Sequence, residues 1–222
     1  MNKDVYCPSS TEELCELVIS SIASKSSLLV KGSGSMEGWG QLDADGQSVT
    51  VRGLSGITLY EPEELVMTAA AGTSIEHIKN VLNDNNQHLA FEPPGLHRLY
   101  ANKLGTGTLG GILACNLSGP GRIQAGAARD HFLGFEAVSG RGEKFKSGGR
   151  VVKNVTGFDL SKLLAGSFGT LAIMTSISIK VLPKPEKTRS ILIFGLSDHE
   201  AIKTMGLALN SPNEVNAVAH IP

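Results

Sequence analysis

The chemistry this sequence could perform is concentrated where it has the fewest side chains. From Gly105 to Arg122 it reads GTGTLGGILACNLSGPGR. A backbone so stripped can approach a bulky ligand and aim peptide N–H groups at it. Read that way, the stretch is the floor of a cofactor site. The bland alternative is a tight turn where two backbones pack. The chain has 26 glycines, most of them in four dense islands. Besides the central stretch, these are KGSGSMEGWG at 31–40, the segment around Gly140–Gly149, and GSFGT at 166–170.

Other chemistries fare poorly on spacing. Gly105, Gly107 and Gly110 spell G-x-G-x-x-G, with Asp130 at a suitable distance beyond, but a dinucleotide fold needs a hydrophobic strand before the first glycine. Here LYANK follows a double proline, and Gly119-Pro120-Gly121 ends any following helix early. The first island has a strand before it but the wrong spacing, G-x-G-x-x-x-G at Gly32, Gly34 and Gly38. No G-K-S or G-K-T occurs, which excludes a Walker loop. Cys7, Cys15 and Cys115 are too widely spaced for a disulfide framework or a cluster, and the six histidines show no ligand spacing, so no metal site is expected. Arg122 and Arg129 suit either a phosphate or a surface ion pair. Asp130 and Asp159 read as loop ties or caps rather than bases. His77, on a helix face, and His88, in a polar loop, are expected in solvent. Trp39 suits either packing or a cofactor ring.

Positioning these loops requires an α+β scaffold. Ser10 with Glu13 makes a capping box before a helix over 11–24 whose face is Leu14, Leu17, Val18 and Ile22. Leu28–Val30 forms a short buried strand that runs into the first island, with Ser48–Val51 beside it. Strands follow at Ile57–Tyr60 and Leu65–Ala70 around a turn at Pro62. Thr73 and Glu76 then cap a second helix with Ile75, Ile78, Val81 and Leu82 on one face. FEPPGLHRLYANK is loop by its prolines. A strand is expected over FEAVSG, turns at Gly140–Gly142 and at Gly148–Gly149, and a short helix around Leu160–Leu164. LAIMTSISIKVL reads as a half-buried strand. Past Pro183 and Pro185, a strand at Ser190–Phe194, a helix opened by Ser197 and Glu200, and a strand at Val215–His220 make too small a unit to stand alone. The chain is expected to be cut short.

Bulk composition narrows the class. With 222 residues, 41% apolar and 18% charged, the chain can build a core, and its net charge of −1 argues against a nucleic-acid partner. No run of eighteen uncharged apolar residues occurs, so direct membrane insertion is not expected, and the sparse cysteines suit the cytoplasm.

Together, KGSGS, TLGGILACNLSG, GAARDHFLG and GSFGTLAIMTSISIKVLP resemble the successive signatures of the FAD-binding domain of the vanillyl-alcohol oxidase and p-cresol methylhydroxylase (PCMH) superfamily. Within it, FEPPG and GRVVKNVTGFDLSKLLAGSFGTL are most similar to the FAD-binding (E) subunits of bacterial glycolate oxidases. The resemblance implies a PCMH-type FAD-binding domain over 1–185, in two α/β subdomains of about 1–55 and 56–185. The start of a truncated cap domain would follow at 186–222.

It further implies that Lys31, Gly32, Ser33, Gly34 and Ser35 wrap the FAD pyrophosphate. Thr106, Gly107, Thr108, Gly110 and Gly111, with Asn116 and Gly119, press on the flavin side. Gly169, Thr170 and Ile173 offer main-chain groups to the adenine or ribose, while Pro94, Gly95 and Arg122 complete the cofactor set. Ser35 stands where covalently flavinylated relatives often carry histidine, implying non-covalent FAD. Many relatives have glutamate where Phe168 stands, a departure that argues against direct catalysis by this site, and no catalytic residue is assigned. The implied activity is oxidation of a short 2-hydroxy acid to the 2-oxo acid by hydride transfer to flavin. The implied partners are a second flavoprotein subunit and an iron–sulfur subunit, through which the protein would meet a membrane. A non-catalytic assembly subunit and a stand-alone FAD oxidoreductase on another alcohol or hydroxy acid are the alternatives.

Overall fold

The computed structural model describes residues 5–36, 39, 46–95, 107–149 and 157–222. Helix α1 spans Thr11–Ser24, opened by the Ser10 hydroxyl, which accepts from the Glu13 amide. The reciprocal arm of the expected box goes one residue further back, since the Glu13 carboxylate accepts from the Ser9 amide. α1 buries Leu14, Val18 and Ser21, whereas Ile22 is exposed. The buried stripe thus runs at i, i+4, i+7 and leaves Ile22, at i+8, about 40° beyond its edge.

Strands β1 (Leu28–Lys31) and β2 (Gln47–Thr50) pair in parallel, with Val30 opposite Val49. A 3₁₀ turn follows at Val51–Gly53. β3 (Ile57–Glu61) and β4 (Val66–Ala70) are antiparallel, joined by the turn at Pro62. Helix α2 (Ile75–Asn83) is capped by Ser74 rather than by Thr73. Thr73 is buried and its hydroxyl is committed to the Gly56 backbone, so the next residue does the capping.

The remaining elements are β5 (Gln87–His88), α3 (Leu109–Ala114), α4 (Arg122–Ala125), α5 (Ala128–His131), β6 (Phe132–Ser139), β7 (Lys144–Gly148), α6 (Leu160–Leu164), β8 (Ala172–Lys180), β9 (Leu182–Pro183) and α7 (Asp198–Leu209). β6 begins three residues before the expected FEAVSG strand, because Phe132 already pairs with Ile179. The five-stranded antiparallel sheet has the order β3-β4-β8-β6-β7. At its centre, β8 is buried on both faces from Ala172 to Thr175 and alternates only from Ser176 onward. α3 packs on this strand, its Gly110 amide donating to Ala71, whose own amide donates to the Thr175 carbonyl. Leu14, Val49, Met67, Ile78, Phe91, Leu109, Phe132 and Ile177 belong to one continuous apolar core, which therefore joins α1 and the parallel pair to the large sheet. Each such side chain contributes roughly 2 kcal/mol by leaving water.

Helix α7 has the expected capping box, with Ser197 and Glu200 satisfying each other's amides. The two strands expected on either side of it do not form. Ile191–Phe194 is exposed and pairs with no sheet edge, and an extended segment without a ladder partner is not a strand. Residues 215–220 instead tie back by individual contacts. The Val215 carbonyl accepts from Gln124, Asn216 donates to Glu92, and His220 meets Asp198.

Candidate functional site

Between the parallel β1–β2 pair and the α3–β8 layer lies a cavity of about 940 Å³. Its walls come from four separated pieces of chain: Leu28–Met36 with Trp39, Thr108 with Gly110 and Gly111, Phe168–Thr170, and Ala172–Met174. Ser48, Val51, Ala71, Ala114 and Cys115 fill the gaps between them.

Main-chain stitching explains why these pieces meet. The Leu109 and Gly110 amides donate to the carbonyls of Thr73 and Ala71, and the Ile75 amide donates to Gly107. α3 therefore starts against the end of β4. A Cβ on Gly110 would lie 2.9 Å from that of Ala71, so glycine permits the approach. At the other end of α3, the carbonyls of Leu113 and Ala114 accept from the amides of Gly166 and Phe168, which draws the last glycine island over the cavity.

The first island is held as firmly. The Thr50 hydroxyl donates to the Gly32 carbonyl at 2.8 Å, and a Cβ on Gly32 would stand 2.1 Å from the Thr108 Oγ1. Thr108 itself is buried and caps α3 by accepting from the Gly111 amide. Gly32 and Thr108, 76 positions apart in the chain, thus form the seam where two glycine loops close. Beyond that seam, among the described residues, the amides of Ser33 and Ser35 have no hydrogen-bond acceptor, which leaves donors for an anion. Lys31 is the one charged residue among the described lining residues.

Lys31, Gly32, Ser33, Gly34, Ser35, Thr108, Gly110, Gly111, Gly169, Thr170 and Ile173 are brought together around this cavity. Thr106 lies outside the described residues. Gly107 adjoins the site without lining it, its positive φ turning the chain into α3. Pro94, Gly95, Asn116, Gly119 and Arg122 stand elsewhere. Asn116 holds the Arg129 amide through its Oδ1. Gly119 donates to the Phe91 carbonyl, and a Cβ there would come within 2.6 Å of the Glu92 carbonyl oxygen. The Glu92 carboxylate accepts from the Gly121 amide at 2.7 Å and from Asn216. Arg122 and Arg129 are both exposed.

Asp130 and Asp159 are a loop tie and a cap, accepting from the amides of Ala127 and Lys162 respectively. His77 is exposed as expected, but His88 is half-buried on β5, and burial lowers its pKa. His131 is buried against Phe91, with Nε2 2.9 Å from the Ala125 carbonyl and Nδ1 3.3 Å from that of Lys180. Burial lowers its pKa, opposed by these two carbonyls.

The sequence reading left Met36, Ala71, Ala114, Cys115, Phe168 and Met174 out of the cofactor set, yet all line the cavity. Burial pushes the Cys115 thiol up to about 11, so it remains a thiol at neutral pH and is no nucleophile. Among the described lining residues there is no carboxylate and no imidazole. The arrangement is one for holding an elongated ligand with apolar walls and main-chain donors, not for moving protons.

No group of three or more His, Cys, Asp or Glu among the described residues could hold a metal ion. No helix among them is long and apolar enough to cross a membrane.

Residues 3–148 match the family described as FAD binding domain. Over 181 residues, the chain is 40% identical to the glycolate oxidase subunit GlcE of Escherichia coli, covering 82% of this chain and 49% of that protein. It is 28% identical to the glycolate oxidase subunit GlcD of Bacillus subtilis, covering 85% of this chain and 38% of that one. Among solved structures it is similar in fold to an alkyldihydroxyacetonephosphate synthase, with a TM-score of 0.63 and 22% identity over 82% of this chain and 32% of that structure. The chain spans about half the length of GlcE and less of the others.

Proposed function

This chain belongs to the FAD binding domain family, whose cofactor is FAD, and we propose that it is the FAD-binding subunit of a glycolate oxidase-like complex. The reaction would be oxidation of a short 2-hydroxy acid to the 2-oxo acid, for which bound FAD would supply the hydride-accepting chemistry. What carries this reading is the convergence of separated glycine loops on one cavity in a chain so similar to GlcE.

The residues present fit the cofactor. Ser33 and Ser35 offer main-chain N–H groups to the diphosphate, with Lys31 as the adjacent charge. Thr108, Gly110 and Gly111 form the opposite wall, where the missing side chain of Gly111, which would meet only the Thr108 hydroxyl, leaves room for the ligand. Gly169, Thr170 and Ile173 close the far side. Thr106 and Gly107 complete the wall on the flavin side, while Asn116, Gly119, Pro94, Gly95 and Arg122 stand away from the cavity. With Ser35 in the loop, FAD is held without a covalent bond. The chain's own residues bind and orient the cofactor and exclude water from it. The carboxylate clamp and the proton acceptor would come from outside these 222 residues, in the rest of the cap domain or in the partner subunit.

Residues 1–185 form the FAD-binding domain, in subdomains of about 1–55 and 56–185. Residues 186–222 open the second domain. The partners are a second flavoprotein subunit and an iron–sulfur subunit, in the cytoplasm and at a membrane only through them.

Reconstitution with FAD, followed by anaerobic addition of glycolate with and without the partner subunits, tests the reading. Flavin absorbance is expected to stay with the protein through gel filtration and to bleach with glycolate in the complex. In denaturant the yellow colour is expected to leave the polypeptide. Absence of bound FAD, or bound FAD that glycolate never reduces in the complex, contradicts the proposal.

A further inference from the structure

We propose that Phe168 is a stacking platform for a planar heteroaromatic ring of the dinucleotide. This rests on the cofactor reading above and assigns a further residue to the same site. Six non-glycine residues among those described have positive φ: Lys25, Leu65, Asn86, Glu92, Asn116 and Phe168. That conformation is costly for a bulky side chain and persists where something else fixes it.

For five of the six, the structure shows a use. Lys25 ends α1. Leu65 packs against the core. The Asn86 carbonyl accepts from the Lys184 amide. Glu92 and Asn116 hold the amides of Gly121 and Arg129. Phe168 differs. Its amide is pinned to the Ala114 carbonyl at 2.8 Å, its φ is 55°, and its ring lies outside the core, 51% exposed.

The same residue lines the cavity. Gly166 and Gly169 beside it have φ of 85° and 76°, so this turn already uses glycine for left-handed positions. Glycine at 168 would relax the backbone. An aromatic ring there, half in water, gains further contacts when something flat covers it. Adenine and isoalloxazine both present such a face, and stacking on an aromatic side chain is the recognition that suits either. Trp39 lines the cavity from the first glycine loop, and no ring contact joins it to Phe168.

The test titrates the wild-type chain, Phe168→Gly and Phe168→Tyr with FAD, FMN and ADP, and records a thermal melt of each. Trp39, the single tryptophan of the chain, serves as the fluorescent reporter. Phe168→Gly is expected to raise the FAD Kd about tenfold, while Tm holds or rises because the left-handed backbone is relieved. Phe168→Tyr is expected to bind FAD within about twofold of wild type, because the face is kept. A penalty seen with ADP but not FMN places the platform under adenine; the reverse places it under the isoalloxazine. Wild-type FAD affinity in Phe168→Gly overturns the proposal, as does a loss of affinity that appears only with a fall in Tm. A wild-type chain that binds no FAD removes the underlying cofactor reading as well, which separates that failure from failure of the platform.

Discussion

The two halves of the central glycine stretch both carry glycine pairs but have opposite neighbours. In the first half, Gly111 would meet only the Thr108 hydroxyl and lines the cavity with bare backbone, while Gly110 beside it lets α3 pack on Ala71. In the second half, Gly119 and Gly121 are pressed against Glu92, a residue nearly thirty positions earlier, with Asn216 of the C-terminal segment closing over it. The first half lines a cavity; the second makes space for the chain itself, so cavity wall and backbone packing lie within twelve residues of each other.

That contrast can be broken by substitution. Gly32→Val places a branched side chain into the Thr108 hydroxyl at the seam of the two loops. The expected result is an FAD Kd raised at least 100-fold, about 2.7 kcal/mol, with overpacking costing about 1–3 kcal/mol of stability. Isothermal titration and urea unfolding measure the two effects. Gly119→Ala is expected to do the reverse. Its Cβ would crowd a backbone carbonyl that cannot swing aside, at a cost of about 2 kcal/mol in unfolding free energy. FAD affinity of the folded fraction should stay within about threefold of wild type. If Gly119→Ala lost FAD with stability intact, the division of the stretch would be wrong.

Glu92→Gln sharpens the same comparison. The Gly121 amide and Asn216 then face a neutral amide in place of a carboxylate. A loss of about 1–2 kcal/mol on urea unfolding is expected, again without effect on FAD.

A smaller effect depends on pH. Burial holds His131 below its ordinary value of about 6.5. Below pH 6.5 the unfolded chain therefore binds more protons than the folded one, and the stability contributed by neutral His131 is lost as pH falls further. Unfolding free energy measured from pH 8 to pH 5 should decline on the acid side, and His131→Gln should flatten that decline. His88, lowered in the same direction by burial, adds to that decline.

The legible parts of the sequence were those with local causes. Ser10, Ser197 and Asp159 announce helices because a cap and its amide lie three residues apart. The glycine loops that line the cavity were legible for the same reason: backbone exposure is a property of composition. Ile22 was misplaced because an amphipathic stripe narrower than its apolar residues leaves one of them in solvent. Phe168 and Met174 were missed because only the long-range stitching of α3 to the last island and the doubly buried start of β8 bring them to the cavity. Glu92 was hidden likewise, since its partners are distant in sequence and its left-handed backbone has no signature beyond the following prolines. The expected strands after Pro185 had the right residue types but no ladder partner among the described residues.

The most direct test is a crystal structure of this chain grown with FAD. The diphosphate is expected between the first glycine loop and Thr108–Gly111, within hydrogen-bond distance of the amides of Ser33 and Ser35. Electron density for FAD at any other place, or a cavity closed by its own side chains when FAD is bound, would contradict the account.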